Sequence, residues 1–152
     1  MEIETLDDVL SWTKKIHQHL SQCLSHCSSD NDSERSRLLL EYLAEHEKHL
    51  MLLLEEIQNT AKNSALMTWC QEYINKHPIV AHEKCQQPFA RLTTSEISET
   101  IFKLHNDVIE LYRFLLAQAG APSAIELLQQ LLDLEEHEAM QMAIGTNQLE
   151  DL

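Results

Sequence analysis

Glycine and proline are almost missing from this chain, with two and three occurrences in 152 residues. A multi-stranded fold needs turn residues, so this scarcity argues against sheets, and the abundance of Leu, Glu, Gln and Ala suits long helices. Basic residues are also scarce. Eleven Lys and Arg face 25 Asp and Glu, a net charge of −14, and such a surface repels phosphate backbones and anionic lipid headgroups. Nucleic acid and membrane surfaces are therefore excluded as expected partners. No apolar run approaches the roughly 20 residues of a spanning helix. The start, MEIETLDDVLSW, lacks a basic segment followed by an apolar core, so a soluble, cytoplasmic protein is expected. The four cysteines, Cys23, Cys27, Cys70 and Cys85, form no CxxC pair, and without an export signal they are expected as reduced, small buried hydrophobes. There is no glycine-rich phosphate loop, GxSxG elbow or Cys/His nucleophile pattern, which leaves nucleotide cofactors, organic cofactors and hydrolase chemistry without support.

What is present is apolar periodicity. At this length, 43% apolar residues can fill one core but not two ordinary ones, so residues 1–152 are read as one domain. Helices are expected over about 6–27, 33–62, 64–76, 95–119 and 122–145 from periodicity and end signals. Thr5 with Asp8 and Thr93 with Glu96 make capping pairs. His77-Pro78 stops the short piece, because the residue before proline is disfavoured in the α region. Gly120 fits a helix end and Pro122 a first turn. Residues 77–93 read as irregular. The expected fold class is all-α: a four-helix bundle of two hairpins, with an extra short helix and an irregular connector between helices two and three. Whether that connector leaves helices two and three antiparallel or parallel stays open.

Polar residues interrupt the apolar faces. At roughly 100° per residue, Leu39, Leu43, Leu50, Leu53 and Ile57 line up on helix two, and His46 falls in the gap of that stripe with His49 one turn on. On helix four, Ile125, Leu128, Leu131, Leu132, Ala139 and Met142 surround Glu135, with Glu138 to one side. His17 and His105 lie at the edges of the stripes of helices one and three. A weak repeat relates Ile16-His17-x-x-Leu20 to Leu104-His105-x-x-Val108, and sets His46 against Glu135. With a rise of about 1.5 Å per residue, all six polar residues come to one level. A buried carboxylate needs compensation, and a divalent ion with nitrogen and oxygen ligands supplies it. The candidate metal ligands are His17, His46, His49, His105, Glu135 and Glu138. Glu45, Glu47, Lys48, Asp133 and His137 read as solvated. In the connector, His77, His82 and Cys85 lack the paired spacing of a structural zinc site, while Trp69 and Tyr73 read as docking the short helix on the bundle or bridging subunits.

In layout, residues 5 to 147 resemble the ferritin-like carboxylate proteins, among them rubrerythrins and bacterioferritins. In that superfamily helices two and four carry Glu-x-x-His, and helices one and three each give a Glu. Here His46-x-x-His49 and Glu135-x-x-Glu138 occupy the paired places, and His17 and His105 stand where the single glutamates would be. The histidine-rich set is similar in ligand type to haemerythrin-like bundles, whose spacings are absent. The tail LLDLEEHEAMQMAIGTNQLEDL resembles small bacterial proteins of similar length. The resemblance implies one or two ions of iron, manganese or zinc, with a redox or metal-handling role, in a homo-oligomer, expected to be a dimer. The alternative is a metal-free bundle acting as an interaction or regulatory module for a protein partner.

Overall fold

The computed structural model of the protein describes residues 3–28, 31, 33–70 and 89–151. Four long helices dominate: α1 (Leu6–Ser28), α2 (Glu34–Thr60), α4 (Thr94–Gln118) and α5 (Pro122–Glu150). A one-turn α3 (Asn63–Leu66) follows α2, and a 3-10 turn at Phe89–Arg91 precedes α4.

The start of each helix is written locally. Thr5 and Asp8 exchange hydrogen bonds, each backbone N–H donating to the other's side chain at 3.1 and 3.3 Å, which satisfies donors a helix otherwise leaves free. Thr93 and Glu96 form the same reciprocal box on α4, and Ser33 caps α2 by accepting from the Ser36 N–H. Pro122 occupies the first turn of α5. Gly120 is not in the left-handed conformation, so it ends α4 without the expected motif.

Two apolar clusters fix the directions of the helices. One gathers Leu6, Val9 and Leu10 from the start of α1, Leu50 and Leu54 from the end of α2, Val108, Tyr112 and Leu115 from the end of α4, and Leu127, Leu128 and Leu131 from the start of α5. The other joins the opposite ends through Cys23, Leu24, Leu39, Leu40, Leu43, Ile97, Ile101, Phe89 and Met142. Hence α1 opposes both α2 and α4, while α2 and α4 run in the same direction. The connector therefore starts at one end of the bundle and returns at the other.

Three expectations change. The short helix stops at Leu66 rather than residue 76. Beyond it the chain is extended: Leu6 N–H donates to the Thr68 carbonyl at 2.8 Å and Cys70 N–H to the Glu4 carbonyl at 2.7 Å, tying the start of α1 to the end of this segment. Trp69 is 60% exposed, so it does not dock on its own bundle. Finally, α5 continues through Gly145 to Glu150. Tyr73, His77, Ile79, Val80, His82 and Cys85 lie outside the described residues. Among the described cysteines, Cys27 and Cys70 are free thiols. No helix among the described residues is long and apolar enough to cross a membrane.

Candidate metal centre

Between the two apolar clusters lies a polar layer with one residue from each long helix: His17 of α1, Glu47 of α2, His105 of α4 and Glu135 of α5. All four are fully buried. They close a ring. His17 donates from Nδ1 to Glu47 Oε2 at 2.6 Å and from Nε2 to Glu135 Oε1 at 2.7 Å. His105 donates from Nδ1 to Glu135 Oε2 at 3.2 Å and from Nε2 to Glu47 Oε1. Each carboxylate thus spends one oxygen on each imidazole. The two imidazoles stack with their centroids 5.1 Å apart.

Burial favours the neutral form of every member, yet the ring's own charges prevail. Burial alone would lower the histidines, but the Glu135 and Glu47 carboxylates on both sides raise His17 to about 10 and His105 to about 9. Burial would raise the acids, but the two imidazoliums hold Glu47 and Glu135 at about 2. At neutral pH the layer is two cations and two anions with no net charge, the condition under which buried charges persist. Next to it, inside the first apolar cluster, Tyr112 Oη donates to Thr13 Oγ1 at 2.9 Å, and Thr13 donates onward to the Leu10 carbonyl. Burial and the Glu135 charge push the Tyr112 phenol well above its ordinary pKa.

His17, His105, Glu135 and Glu138 are all buried, as expected of ligands, and the first three meet in the ring. His46 and His49 do not join it. His46 is partly exposed and contacts Glu138 instead, Nδ1 to Oε2 at 3.5 Å, with its ring 4.5 Å from that of Tyr42. His49 faces solvent. The residue that α2 sends inward is Glu47, which the periodicity had assigned to the surface. The buried residues of α2 are Ser36, Leu39, Leu40, Leu43, Ala44, Glu47, Leu50 and Leu54, so Leu39, Leu43 and Leu50 of the expected stripe are inside, but the face is centred nearer a 4,3,4,3 row through Leu40, Glu47 and Leu54. Leu38, Leu39, Leu40 and the LMLLL run at 50–54 populate every side of the helix, so leucines alone could not set its phase. A better signal was available: His17 to Glu47 and His105 to Glu135 are both separated by 30 residues, whereas His17 to His46 spans one fewer. On α5, Ile125 is 40% exposed rather than part of the stripe.

The donor chemistry fits a metal ion. Single ligand atoms from His17, His105 and Glu135 lie within 4.8 Å of one another, and an ion bound at about 2.0–2.2 Å needs opposed ligands no more than about 4.4 Å apart. A settling of a few tenths of an ångström is enough. Two imidazoles and one carboxylate suit iron(II), manganese(II) or zinc(II).

The architecture is that of the ferritin-like four-helix bundles. No family model and no curated protein matches the chain. Among solved structures, a protein of Thermotoga maritima, assigned provisionally to the ferritin-like diiron-carboxylate proteins, superposes with a TM-score of 0.64 at 14% identity over 94% of this chain and 95% of its own. At that identity the likeness carries the fold and nothing finer.

Proposed function

We propose that the protein is a metal-binding ferritin-like bundle whose inner layer holds a single divalent ion. The observation that carries this reading is the closed ring of two buried acids and two buried imidazoles, one from each long helix. His17 Nε2, His105 Nδ1 and Glu135 are the proposed ligands. Glu47, on the far side of both imidazoles, would accept their remaining N–H groups and fix their orientation, as carboxylates behind metal-bound histidines do. An imidazolium cannot ligate, so each histidine must lose one proton as the ion enters. Two protons leave and one divalent charge arrives, and the layer stays neutral throughout. A second ion would leave two positive charges uncompensated by these four residues. Iron or manganese so held would supply redox chemistry and zinc a Lewis acid.

A second reading rests on the completeness of the ring. Every ring nitrogen and every carboxylate oxygen already has a partner, so the layer can stand as a structural ion quartet in a metal-free interaction module. Calorimetry with Mn(II), Co(II) and Zn(II) in buffers of different ionisation enthalpy separates the two. The metal reading expects one ion per chain with close to two protons released. No heat with any ion leaves the quartet.

The remaining expectations on assembly and place stay proposals: a homodimer, a cytoplasmic setting, and no role for nucleic acid or membranes given the acidic surface. Gel filtration with light scattering tests the first of these.

A further inference from the structure

Apart from Glu47 and Glu135, Glu138 is the one buried acidic residue among those described, and the ring does not use it. Among the described residues its one hydrogen-bond partner is His46, at a long 3.5 Å, so most of the acceptor capacity of this carboxylate is uncommitted. The side chains form a graded path along the α2–α5 seam. His46 is 26% exposed, Glu138 7%, and Glu135, one turn further along the same helix, 0%. Tyr42 covers the outer end. Its ring lies against His46 and its hydroxyl donates to the Gln141 carbonyl at 3.0 Å. Burial and the Glu138 charge raise its pKa.

A rare glycine makes room for that tyrosine. Gly145 sits within α5 with ordinary helical backbone, so no turn requires it. A Cβ there would lie 1.9 Å from Tyr42 Oη and 2.1 Å from Cζ. Glycine weakens a helix relative to alanine, and this chain has only one other. The seat of Tyr42 against α5 is what the position serves.

We propose that His46 and Glu138 form a transfer site for divalent cations, gated by Tyr42, through which ions pass between solvent and the inner ring. The inference rests on the metal reading of that ring. An imidazole and a carboxylate leave the remaining coordination positions to water, which suits brief occupancy. The next carboxylate inward, Glu135, is one turn away. A transfer site lowers the barrier to exchange in both directions and leaves the affinity of the final site unchanged.

The test follows Co(II) loading by visible absorption in stopped flow, release into excess EDTA, and equilibrium affinity by competition. Glu138→Gln, which is isosteric, and His46→Gln should slow loading and release together by about tenfold or more, with the dissociation constant close to that of the wild type. Tyr42→Ala should speed both. Circular dichroism confirms that each variant keeps its fold. Loading and release at wild-type rates in both Gln variants would overturn the transfer site while leaving the inner centre intact. A weakened affinity with unchanged loading would instead make these residues ligands of the final site, also against the proposal. Wild-type protein that takes up no Co(II) removes the inner centre and the transfer site together.

Discussion

The two halves of the bundle place the same pair of residues in the layer and differ one turn later. In the first half His17 is followed 30 residues on by Glu47, and in the second His105 is followed 30 residues on by Glu135. Three residues past Glu47 stands Leu50, fully buried in the first apolar cluster, whereas three residues past Glu135 stands Glu138, buried and reaching toward His46. The ring needs a repeat and gets one. The acid one turn past the ring exists in the second half only, and it meets His46 of the first half on the way to the surface, so the layer is symmetric in charge and asymmetric in access.

The largest expected effect tests the symmetry. Removing either acid leaves two imidazoles sharing one carboxylate. In the metal-free protein at pH 6, Glu47→Leu and Glu135→Leu should each cost about 3–5 kcal/mol, the usual penalty for breaking a buried pair from one side. Replacing all four ring residues with leucine should recover most of that loss. Denaturant unfolding measures both. A cheap Glu47→Leu beside a costly Glu135→Leu would break the equivalence of the halves.

The same ring sets a pH dependence. The histidines are raised from 6.5 to about 10 and about 9, so their stabilisation is complete below pH 6.5 and is lost as the pH rises through 9 to 10. The acids are lowered from 4.5 to about 2, so theirs is complete above pH 4.5 and lost as the pH falls through 2. The difference in stability between wild type and the all-leucine variant should peak between pH 4.5 and 6.5. Thermal melts across pH check this, and the all-leucine reference cancels the repulsion among the surface acids.

Metal should then separate halves that look alike without it. At about 100 times its dissociation constant an ion adds roughly 2.7 kcal/mol of stability. Glu135→Gln should lose that increment, since the ligand is gone. Glu47→Gln should weaken binding only about 10–100-fold, the range for a residue that orients ligands from behind. Affinity also rises with pH from 6 to 8, because the imidazolium protons must leave. Equal losses in the two variants would mean that both acids ligate, and the single-ion assignment would give way to a shared one.

Legibility in the sequence followed the same division between halves. The second half was read well because α5 places Glu135 among leucines that leave little doubt about its phase, and because Thr93, Glu96 and Pro122 mark where its helices begin. On α2 the leucines surround the helix at both ends, so the row through His46 reads as slightly more apolar than the row through Glu47 that is buried. Glu47 and His46 exchanged roles as a result. Only tertiary packing, chiefly against α1 and α5, selects between them, with the 30-residue spacing as its one trace in the sequence. The direction of α4 relative to α2 had no local signature at all, because it depends on which ends the apolar clusters join. Tyr42 and Gly145 were invisible for the same reason: their contact joins residues about a hundred apart.

The smallest expected effect sharpens the boundary between the layer and its surroundings. His49 occupies the i+3 place after His46, where the superfamily pattern would put a ligand, yet it faces solvent and joins neither the ring nor the Glu138 contact. An exposed side chain free of such partners contributes little to folding, so His49→Ala should change stability by no more than about 0.5 kcal/mol. The metal-dependent shift of the melt should be untouched, since the charge balance of the layer is complete without this imidazole. His46→Gln, one turn away, should also leave the equilibrium shift in place while slowing its appearance. The contrast within a single turn of α2 is then threefold: Glu47 governs affinity, His46 governs rate, and His49 governs neither. Loss of the metal shift in His49→Ala would mean that His49 takes part in binding the ion, which requires α2 to turn about its axis and carry this imidazole inward.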